Sequence, residues 1–305
     1  DHRGSSGPLD SNRRQQSPPA AGRAERNLPR GAGEPPDCHH DHPPGNPVTR
    51  RRPRDDGSHE PQVSTRQMLR LFLNERRDPA PFHAELARRT IGDLPLDAVE
   101  SLAGQRVVDL GCGPGAYTRA LRAAGATVLP IDLDPSEFTL PGGPPGGEML
   151  ASGAALPLRD GSVDGIVCSN MIEHTPQPRH VLDEMQRVVR PGGWVWLSWT
   201  NWLSPWGGHD MSPFHYLGPR VGTRVYRLVT KRSPKNEPLR TLFPLSISTV
   251  LDDLARRPAF SVLSVRPRYY PSLRWVVRVR GVREVLTWNC VVRLKRVPSP
   301  ADRAP

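Results

Sequence analysis

The chain has 305 residues, 36% of them hydrophobic, which is enough for one large domain with polar tails. No apolar run reaches about 18 residues and the four cysteines show no framework spacing, so the sequence excludes a membrane-spanning protein and a disulfide-built scaffold. The net charge of +11 is uneven, at about +2 over residues 1–66, about −5 over 67–219 and about +14 over 220–305. The basic last segment favours anionic partners, although an arginine-rich composition alone would also produce it.

Residues 1–63 are dense in Pro, Gly, Ser and Arg and contain few large apolar residues. We predict a disordered tail there, because too little surface can be buried to offset the cost of ordering. Its "DCHHDH" stretch (residues 37–42) carries metal-ligand residue types, but the spacing is too tight for a structural zinc site. The polar start predicts no signal peptide, and free thiols indicate a reducing, cytoplasmic compartment. A second tail is expected at 298–305.

Two helices are predicted within residues 64–100, in "TRQMLRLFLNERRDP", which stops before Pro79, and in "PFHAELARRTIGDL". Strand patterns then follow in "QRVVDLGC", "ATVLPID", "GEMLAS", "SVDGIVCSN" and "WVWLSWT". The helices between them are "AYTRALRAAG" and "PRHVLDEMQRVVRPGG", each expected to stop at its glycines. A last helix, "SISTVLDDLARR", precedes the strands "FSVLSVRPRYY" and "TWNCVVRLKR". This alternation predicts an α/β fold with a mostly parallel sheet covered by helices on both faces.

The first strand leads into a glycine-rich loop, in "VVDLGCGPGAYT" at residues 107–118. Small residues between a strand and a helix allow a ligand to approach the backbone closely. Two ligand classes fit such a loop, dinucleotides and S-adenosylmethionine, but the spacing G-x-G-x-G differs from the dinucleotide pattern G-x-G-x-x-G. Asp132 ends the next strand, where a carboxylate can accept hydrogen bonds from ribose hydroxyls. Both ligand classes need that acid, so Asp132 alone does not distinguish them.

Three segments carry a family resemblance: "VVDLGCGPG", "ALPLRDGSVDGIVCSNMIEH" and "VLDEMQRVVRPGGWVWLS". Over residues 100–200 they resemble the class I S-adenosylmethionine-dependent methyltransferases (methyltransferase type 11), in particular those of ubiquinone and menaquinone biosynthesis. The stretches "RDP" near residue 78 and "WGGHDMSPFHYLG" are similar to uncharacterised actinobacterial methyltransferases. The resemblance implies a Rossmann-like, doubly wound seven-stranded sheet, S-adenosyl-L-methionine as the cofactor and methyl transfer as the reaction.

The resemblance also implies a set of cofactor-binding residues at the carboxyl ends of the strands. They are Asp109, Gly111, Gly113, Gly115, Asp132, Leu133, Ser152, Gly153, Ala154 and Asn170. The first four would hold the methionine part, Asp132 would bind the ribose, and Leu133 would lie beside the adenine. Asn170 would end the fourth strand, near the sulfonium. Ser152 stands where the family usually has Asp, so adenine recognition would use its hydroxyl or the backbone of the next two residues. The alternatives are structural: a tight turn for the glycines, and a helix cap for Asp132.

The acceptor must lose a proton if oxygen or nitrogen is methylated, so we searched for bases near the expected methyl group. The candidates are His174, after the fourth strand, and His209, His215 and Tyr216 in the next loop. Glu173 and Asp210 are further candidates. His209 and His215 could together bind a metal ion, but displacement at a methyl group needs no metal, so we expect none. Residues 201–240 are interpreted as an irregular lid over the cofactor pocket.

The lid region carries four large aromatic side chains, Trp199, Trp202, Trp206 and Phe214. They indicate either a small satellite core or a site for an apolar acceptor such as a quinone, polyketide or lipid. Downstream, "PSLRWVVRVRGVREVLTW" predicts a basic amphipathic helix that lies on an anionic membrane, with an edge strand as the alternative. Its apolar side would be formed by Val276, Val279, Val282 and Leu286, and its basic surroundings by Arg274, Arg278 and Arg280.

Residues 64–297 are therefore predicted to form one methyltransferase domain. It would comprise N-terminal helices (64–100), a cofactor-binding core (101–200), a substrate lid (201–240) and a C-terminal helix with strands (241–297). The favoured acceptor is a small, apolar or lipid-like molecule, and the protein would be cytoplasmic with peripheral membrane contact. Two alternatives stay open: methylation of RNA or another nucleic acid, which we do not favour because no dedicated binding module is visible, and a non-catalytic nucleotide-cofactor-binding protein. The sequence does not indicate an oligomeric state.

Overall fold

The computed structural model describes residues 65–75, 77–96, 101–139 and 146–298. Its strands are β1 (Arg106–Leu110), β2 (Thr127–Asp132), β3 (Met149–Leu150), β4 (Val163–Ser169), β5 (Val189–Thr200), β6 (Phe260–Pro267) and β7 (Asn289–Arg296). Its α-helices are α1 (Thr65–Asn74), α2 (Ala80–Ile91), α3 (Ala116–Ala123), α4 (Pro178–Val188), α5 (Pro219–Thr230), α6 (Ile247–Ala255) and α7 (Val282–Leu286). The predicted N-terminal tail, with its "DCHHDH" stretch, lies outside the described residues.

The strands of the described ranges form one seven-stranded sheet in the order β3-β2-β1-β4-β5-β7-β6. The first five strands in this order are parallel, whereas β7 pairs antiparallel with both β5 and β6. The central strand β1 is buried along Val107–Leu110, as expected for a parallel strand covered on both faces. All seven predicted strands and the mostly parallel α/β fold are confirmed.

Alternating side chains of the sheet build two hydrophobic cores, one on each face. In β5, Val195 and Leu197 face the core that contains Val181 and Leu182 of α4. The intervening Trp194 and Trp196 face the opposite core, which contains residues of α2 and α3 such as Leu86 and Leu121. The period of two in the strand therefore places helices on both sides of the sheet.

Two details of the chain path differ from the prediction. Helix α4 ends at Val188, before its expected glycine stop, because Val189 is already extended and pairs with Val163 in the sheet. Within the predicted irregular lid, residues 219–230 form the regular helix α5, which begins with Pro219 in its first turn. The lid is otherwise irregular, with short 3₁₀ helices at His209–Met211 and Phe214–Leu217.

The basic segment at residues 271–288 is neither the continuous helix nor the edge strand that we predicted. It consists of 3₁₀ turns at Pro271–Leu273 and Val276–Arg278, followed by the five-residue helix α7. Gly281 interrupts it at φ 81°, a conformation that L-residues rarely adopt, so a single apolar face cannot run through the segment. Val276 is buried, while Val279 and Leu286 are exposed. Among the described residues, no helix has the length and apolarity needed to cross a membrane.

Candidate functional site

The three glycines of the loop all have positive φ angles, 74° at Gly111, 48° at Gly113 and 76° at Gly115. The loop follows β1 at the carboxyl edge of the sheet, and Gly115 caps α3 in the left-handed conformation. An ideal Cβ on Gly111 would lie 2.5 Å from Cβ and Cγ of Met171, so a side chain cannot be accommodated there without movement. The lack of a side chain at Gly111 therefore lets the loop pack directly against Met171, which follows β4.

Asp132 binds the glycine loop from the end of β2. Its Oδ2 accepts a hydrogen bond from the Gly113 N–H at 2.9 Å, and its Oδ1 accepts from the N–H groups of Leu133 at 2.7 Å and Asp134 at 3.1 Å. A carboxylate has about four lone-pair sites, so Oδ2 keeps capacity for a further donor. The carboxylate thus lies beside the loop at the carboxyl edge, where a ribose hydroxyl could donate to it.

Asp109 is buried under the same loop, at the end of β1. Its Oδ2 accepts a hydrogen bond of 2.6 Å from Oγ1 of Thr118 in α3, which ties the strand to the helix. Burial raises the pKa of Asp109 to about 7, against the opposing hydrogen bonds from Thr118 and with a smaller contribution from the charge of Asp132. A cation in the pocket would favour the ionised carboxylate, which suits the amino group of a methionine moiety.

The residues proposed for the adenine side form a turn after β3. The Ser152 hydroxyl accepts a hydrogen bond from the Ala154 N–H at 3.2 Å and keeps its own proton available for donation. A Cβ on Gly153 would lie 2.9 Å from Cε of Met171, so Met171 packs closely against both Gly111 and Gly153. Leu133 is mostly exposed at the neighbouring strand end. An apolar side chain and polar backbone groups thus surround this part of the carboxyl edge.

The glycine cradle, the buried acid and the acid beside the loop fit S-adenosylmethionine. The fit rests on the observed chemistry of the groups: backbone N–H donors at a helix N-terminus for a carboxylate, Asp109 for an ammonium and Asp132 for hydroxyls. The predicted residues are therefore brought to one edge of the sheet, although their individual roles in binding stay predictions.

Arg268 is a residue of this edge that the sequence patterns did not indicate. Its guanidinium donates hydrogen bonds to Ser169 Oγ at 3.1 Å and to the hydroxyl of Tyr117. It also lies 3.4 Å from Oδ1 of Asn170 and over the ring of Trp196, with 5.0 Å to the ring centroid. No carboxylate pairs with Arg268 within the described ranges. A fixed cation therefore lies beside the predicted position of the sulfonium, near Asn170.

Asn170 has the unusual φ of 54° for a residue other than glycine, directly after β4. Its Oδ1 accepts a 2.8 Å hydrogen bond from Nδ2 of Asn289, and its N–H donates to the Ser198 carbonyl at 2.9 Å. Three strands thus fix the side chain, because Ser198 belongs to β5 and Asn289 to β7. Strained backbone of this kind is concentrated at functional sites.

Glu173, His174 and His209 form a cluster next to Asn170, with one ligand-type atom from each lying within 4.8 Å of the others. Glu173 is fully buried: its Oε1 accepts from the Thr200 N–H at 2.8 Å, while Oε2 has no hydrogen-bond partner among the described residues. His174 Nδ1 lies 2.6 Å from the Thr241 carbonyl, and its ring meets that of His209 edge to face at 5.2 Å. The predicted absence of a metal stays a prediction.

Burial governs the protonation of this cluster. It raises the pKa of Glu173 above its ordinary value, and it lowers the pKa of His209 to about 4, with a further contribution from the charge of His174. His209 is therefore neutral at physiological pH, and its buried Nδ1 has no hydrogen-bond partner in the described part of the chain. His209 thus has one buried ring nitrogen whose hydrogen-bonding capacity is unused among the described residues.

His215 and Tyr216, the other two predicted catalytic residues, belong to the interior and rim of the lid. His215 is fully buried, and its Nε2 lies 3.0 Å from the Ser204 carbonyl. Its ring contacts Trp202 edge to face at 5.5 Å and Tyr216 at 4.1 Å. Burial lowers the pKa of His215. These contacts give His215 and Tyr216 a role in the packing of the lid. His215 is not part of the cluster of Glu173, His174 and His209.

The four aromatic residues of the lid separate into different environments. Trp199 belongs to the main core, whereas Trp202 and Phe214 pack with Met211 in a satellite core. Trp206 is partly exposed and contacts Trp288 at 4.4 Å between ring centroids. It lines a cavity of about 280 Å³ together with Pro205, His209, Ser212 and Pro213. The satellite core is therefore confirmed for Trp202 and Phe214, whereas a site for an apolar acceptor beside Trp206 stays a prediction.

Comparisons with known proteins agree with this geometry. Residues 108–197 match the family model described as "Methyltransferase domain". An "Uncharacterized methyltransferase" of Mycobacterium ulcerans is 39% identical over 237 residues, covering 75% of this chain and 92% of the relative. One of Mycobacterium bovis is 40% identical over 245 residues, covering 76% and 96%.

Among solved structures, an S-adenosylmethionine-dependent methyltransferase of Mesorhizobium loti has 20% identity and a TM-score of 0.47. The match covers 70% of this chain and 98% of that one. The mycobacterial relatives match over nearly their whole length, and the family model spans the strands that carry the glycine loop and Asn170. The chain therefore belongs to the S-adenosylmethionine-dependent methyltransferases.

Proposed function

We propose that this methyltransferase acts on a small, apolar or lipid-like acceptor that enters beside Trp206 and His209. The observation that carries the proposal is the cavity next to His209, where an aromatic face and prolines surround one buried imidazole nitrogen. The lining combines one indole and two prolines with the polar groups of His209 and Ser212, so it offers an acceptor both apolar contact and hydrogen-bonding partners. A quinone-like or lipid-like ring or chain with a single hydroxyl or amine suits this lining.

The methyl donor would be held by the residues at the carboxyl edge. In this proposal the glycine loop and Asp109 hold the methionine part, Asp132 holds the ribose, and the Ser152–Ala154 turn with Leu133 surrounds the adenine. When bound, S-adenosylmethionine supplies an electrophilic methyl group and a thioether leaving group. Asn170 and Arg268 would fix the region around the sulfonium, and the lid would exclude water.

His209 and His174 are the favoured proton acceptors among the four catalytic candidates. A neutral His209 can accept a hydrogen bond from the acceptor hydroxyl, and the partly exposed His174 can pass the proton to solvent. With its proton accepted by the histidines, the acceptor oxygen would be able to receive the methyl group that bound S-adenosylmethionine would supply. His215 and Tyr216 are proposed to shape the lid around the acceptor.

The proposal is tested first with S-adenosylhomocysteine, titrated calorimetrically into the full chain with NADH as the control ligand. We expect micromolar binding of S-adenosylhomocysteine and none of NADH. Methyl transfer is then measured with radiolabelled S-adenosylmethionine and either a lipid extract or total RNA. Label in the organic phase that is lost in His209→Ala supports the proposal. Label in RNA, or binding of NADH alone, would replace it by one of the two alternatives.

Peripheral contact with an anionic membrane is part of the proposal for such an acceptor. The segment at residues 271–288 no longer offers one amphipathic helix, but it still exposes Trp275, Arg274 and Arg278 together. Exposed aromatic and basic side chains of this kind are typical of surfaces that meet lipid head groups. Because the segment is broken into 3₁₀ turns and a five-residue helix, it has no continuous apolar face, and we expect it to contribute little to lipid binding by itself.

A further inference from the structure

Helix α5 carries an exposed apolar stripe. Val221, Leu228 and Val229 are 52%, 69% and 62% exposed, and Val225 between them is half-buried. Their spacing of four, three and one residues places all four on one side of a helix with 3.6 residues per turn. Stripes of this spacing normally face a core, so an exposed one indicates a surface that is covered by something else.

A basic stripe runs directly beside the apolar one. It is formed by Arg220, Arg224, Arg227 and the following Lys231, at spacings of four, three and four residues, and all four are exposed. At about 100° of rotation per residue, these basic side chains occupy an arc of about 60° around the helix axis, next to the arc of the apolar side chains. Of the four, Arg227 pairs with Glu237, and the others have no ion-pair partner in the described ranges. The sequence has no Asp or Glu between residues 210 and 237.

The opposite side of α5 is fixed to the lid. Oγ1 of Thr223 lies 3.5 Å from Sδ of Met211, and a Cβ on Gly222 would lie 2.3 Å from the carbonyl oxygen of Phe214. Tyr226 contacts the ring of Phe214 at 5.9 Å. Because this inner side is closely packed, the helix cannot rotate to bury its apolar stripe. The solvent-facing stripes are therefore a stable feature of the lid.

We propose that the outer side of α5 docks on an anionic lipid surface. The apolar stripe would enter the head-group region while the neighbouring guanidinium groups bind lipid phosphates, as in interfacial amphipathic helices. The phosphates of a nucleic acid could bind the basic side chains, but a nucleic acid offers no apolar surface for the valine and leucine side chains. The N-terminal tail is itself basic, at about +2 over residues 1–66, so it does not complement the stripe. The inference is independent of which acceptor is methylated.

The test is co-sedimentation of the full chain with vesicles of phosphatidylcholine alone or mixed with phosphatidylglycerol. We expect binding to the mixed vesicles only, and weakening with salt. The double variant Arg220→Gln/Arg224→Gln should bind on the order of thirtyfold more weakly, since each base near an anionic surface contributes about 1 kcal/mol. Val221→Ser/Leu228→Ser should also lose binding. Unchanged S-adenosylhomocysteine affinity and unfolding midpoints would show that both variants are folded.

The matched control is Arg274→Gln/Arg278→Gln, which removes the same charge from the exposed C-terminal segment. Retained vesicle binding in the control, together with loss in both α5 variants, assigns the docking surface to α5. Loss in the control alone, or no binding of the wild-type chain to the mixed vesicles, overturns the proposal. So does a dimer in solution that the Val221→Ser/Leu228→Ser variant dissociates, because a second copy would then cover the stripe.

Discussion

Replacing Asp132 by alanine should remove most of the affinity for the cofactor. In the structure the carboxylate already orients the loop through its hydrogen bond from the Gly113 N–H at 2.9 Å, and a ribose hydroxyl would be the further donor to Oδ2, so alanine removes two hydrogen bonds. A hydrogen bond to a charged group contributes about 1.5–3 kcal/mol, so the loss of two corresponds to roughly a hundredfold weaker binding or more. Asp132→Asn, which keeps one carbonyl acceptor, should weaken binding only about tenfold. Calorimetric titration with S-adenosylhomocysteine measures both effects.

Asp134→Ala is the matched control. Asp134 lies two residues further on and is exposed, and its carboxylate accepts hydrogen bonds from the N–H and the hydroxyl of Ser136, at the start of the next turn. It should bind S-adenosylhomocysteine like the wild type. Thermal unfolding of each variant separates loss of binding from loss of folding. Wild-type affinity in Asp132→Ala would refute the assignment of the ribose site, and equal losses in both variants would mean that the loop is merely destabilised.

Three further predictions concern the same edge of the sheet. Gly111→Ala should lower the free energy of unfolding by about 2–5 kcal/mol in denaturant titrations. Gly104→Ala has a similar φ of 75° but open space around its Cβ, so it should lower the free energy of unfolding only by the cost of the left-handed backbone conformation. Because burial raises the pKa of Asp109 to about 7, S-adenosylhomocysteine should bind about tenfold more tightly at pH 8 than at pH 6, with proton release at pH 6. Without ligand, the Asp109 carboxyl binds more protons in the folded than in the unfolded state. Its contribution to the free energy of unfolding should therefore fall as pH rises from 3.8 to about 7. A free energy of unfolding with the same pH dependence as in Asp109→Asn would contradict this. Arg268→Met should weaken S-adenosylhomocysteine binding about tenfold, with partial rescue by lysine, since it removes the donor to four oxygen atoms that surround the end of β4.

The carboxyl edge of the sheet was predictable because its determinants are local. The run before Gly111 alternates into a buried strand, three glycines follow at fixed spacing, and Asp132 ends the next strand. In a parallel sheet the carboxyl ends of neighbouring strands meet at one edge, so the loop and the acid had to lie together. The contact between Asp132 and the Gly113 N–H is the direct result of that rule.

The remaining features depend on contacts that no local pattern contains. Arg268 reaches Tyr117 across 151 residues of sequence, and Asn289 reaches Asn170 across 119. The prediction of a continuous basic helix was wrong because Val279 is extended and Gly281 has a φ of 81°, so the backbone leaves the helical conformation at both residues. Helix α5 was missed since prolines and glycines around it suggested an irregular segment, and because its apolar residues face outward instead of toward a core.

Strand β7 lies inside the sheet, between β5 and β6, although it is the last of the strands along the chain. During synthesis, the edge of β5 stays open until residues 289–296 have left the ribosome, about a hundred residues after β5 itself. That open edge belongs to the strand that carries Trp194, Trp196 and Trp199, all of which are buried in the finished sheet. A nascent or truncated chain therefore presents an unpaired, tryptophan-rich strand to its neighbours until the last strand inserts.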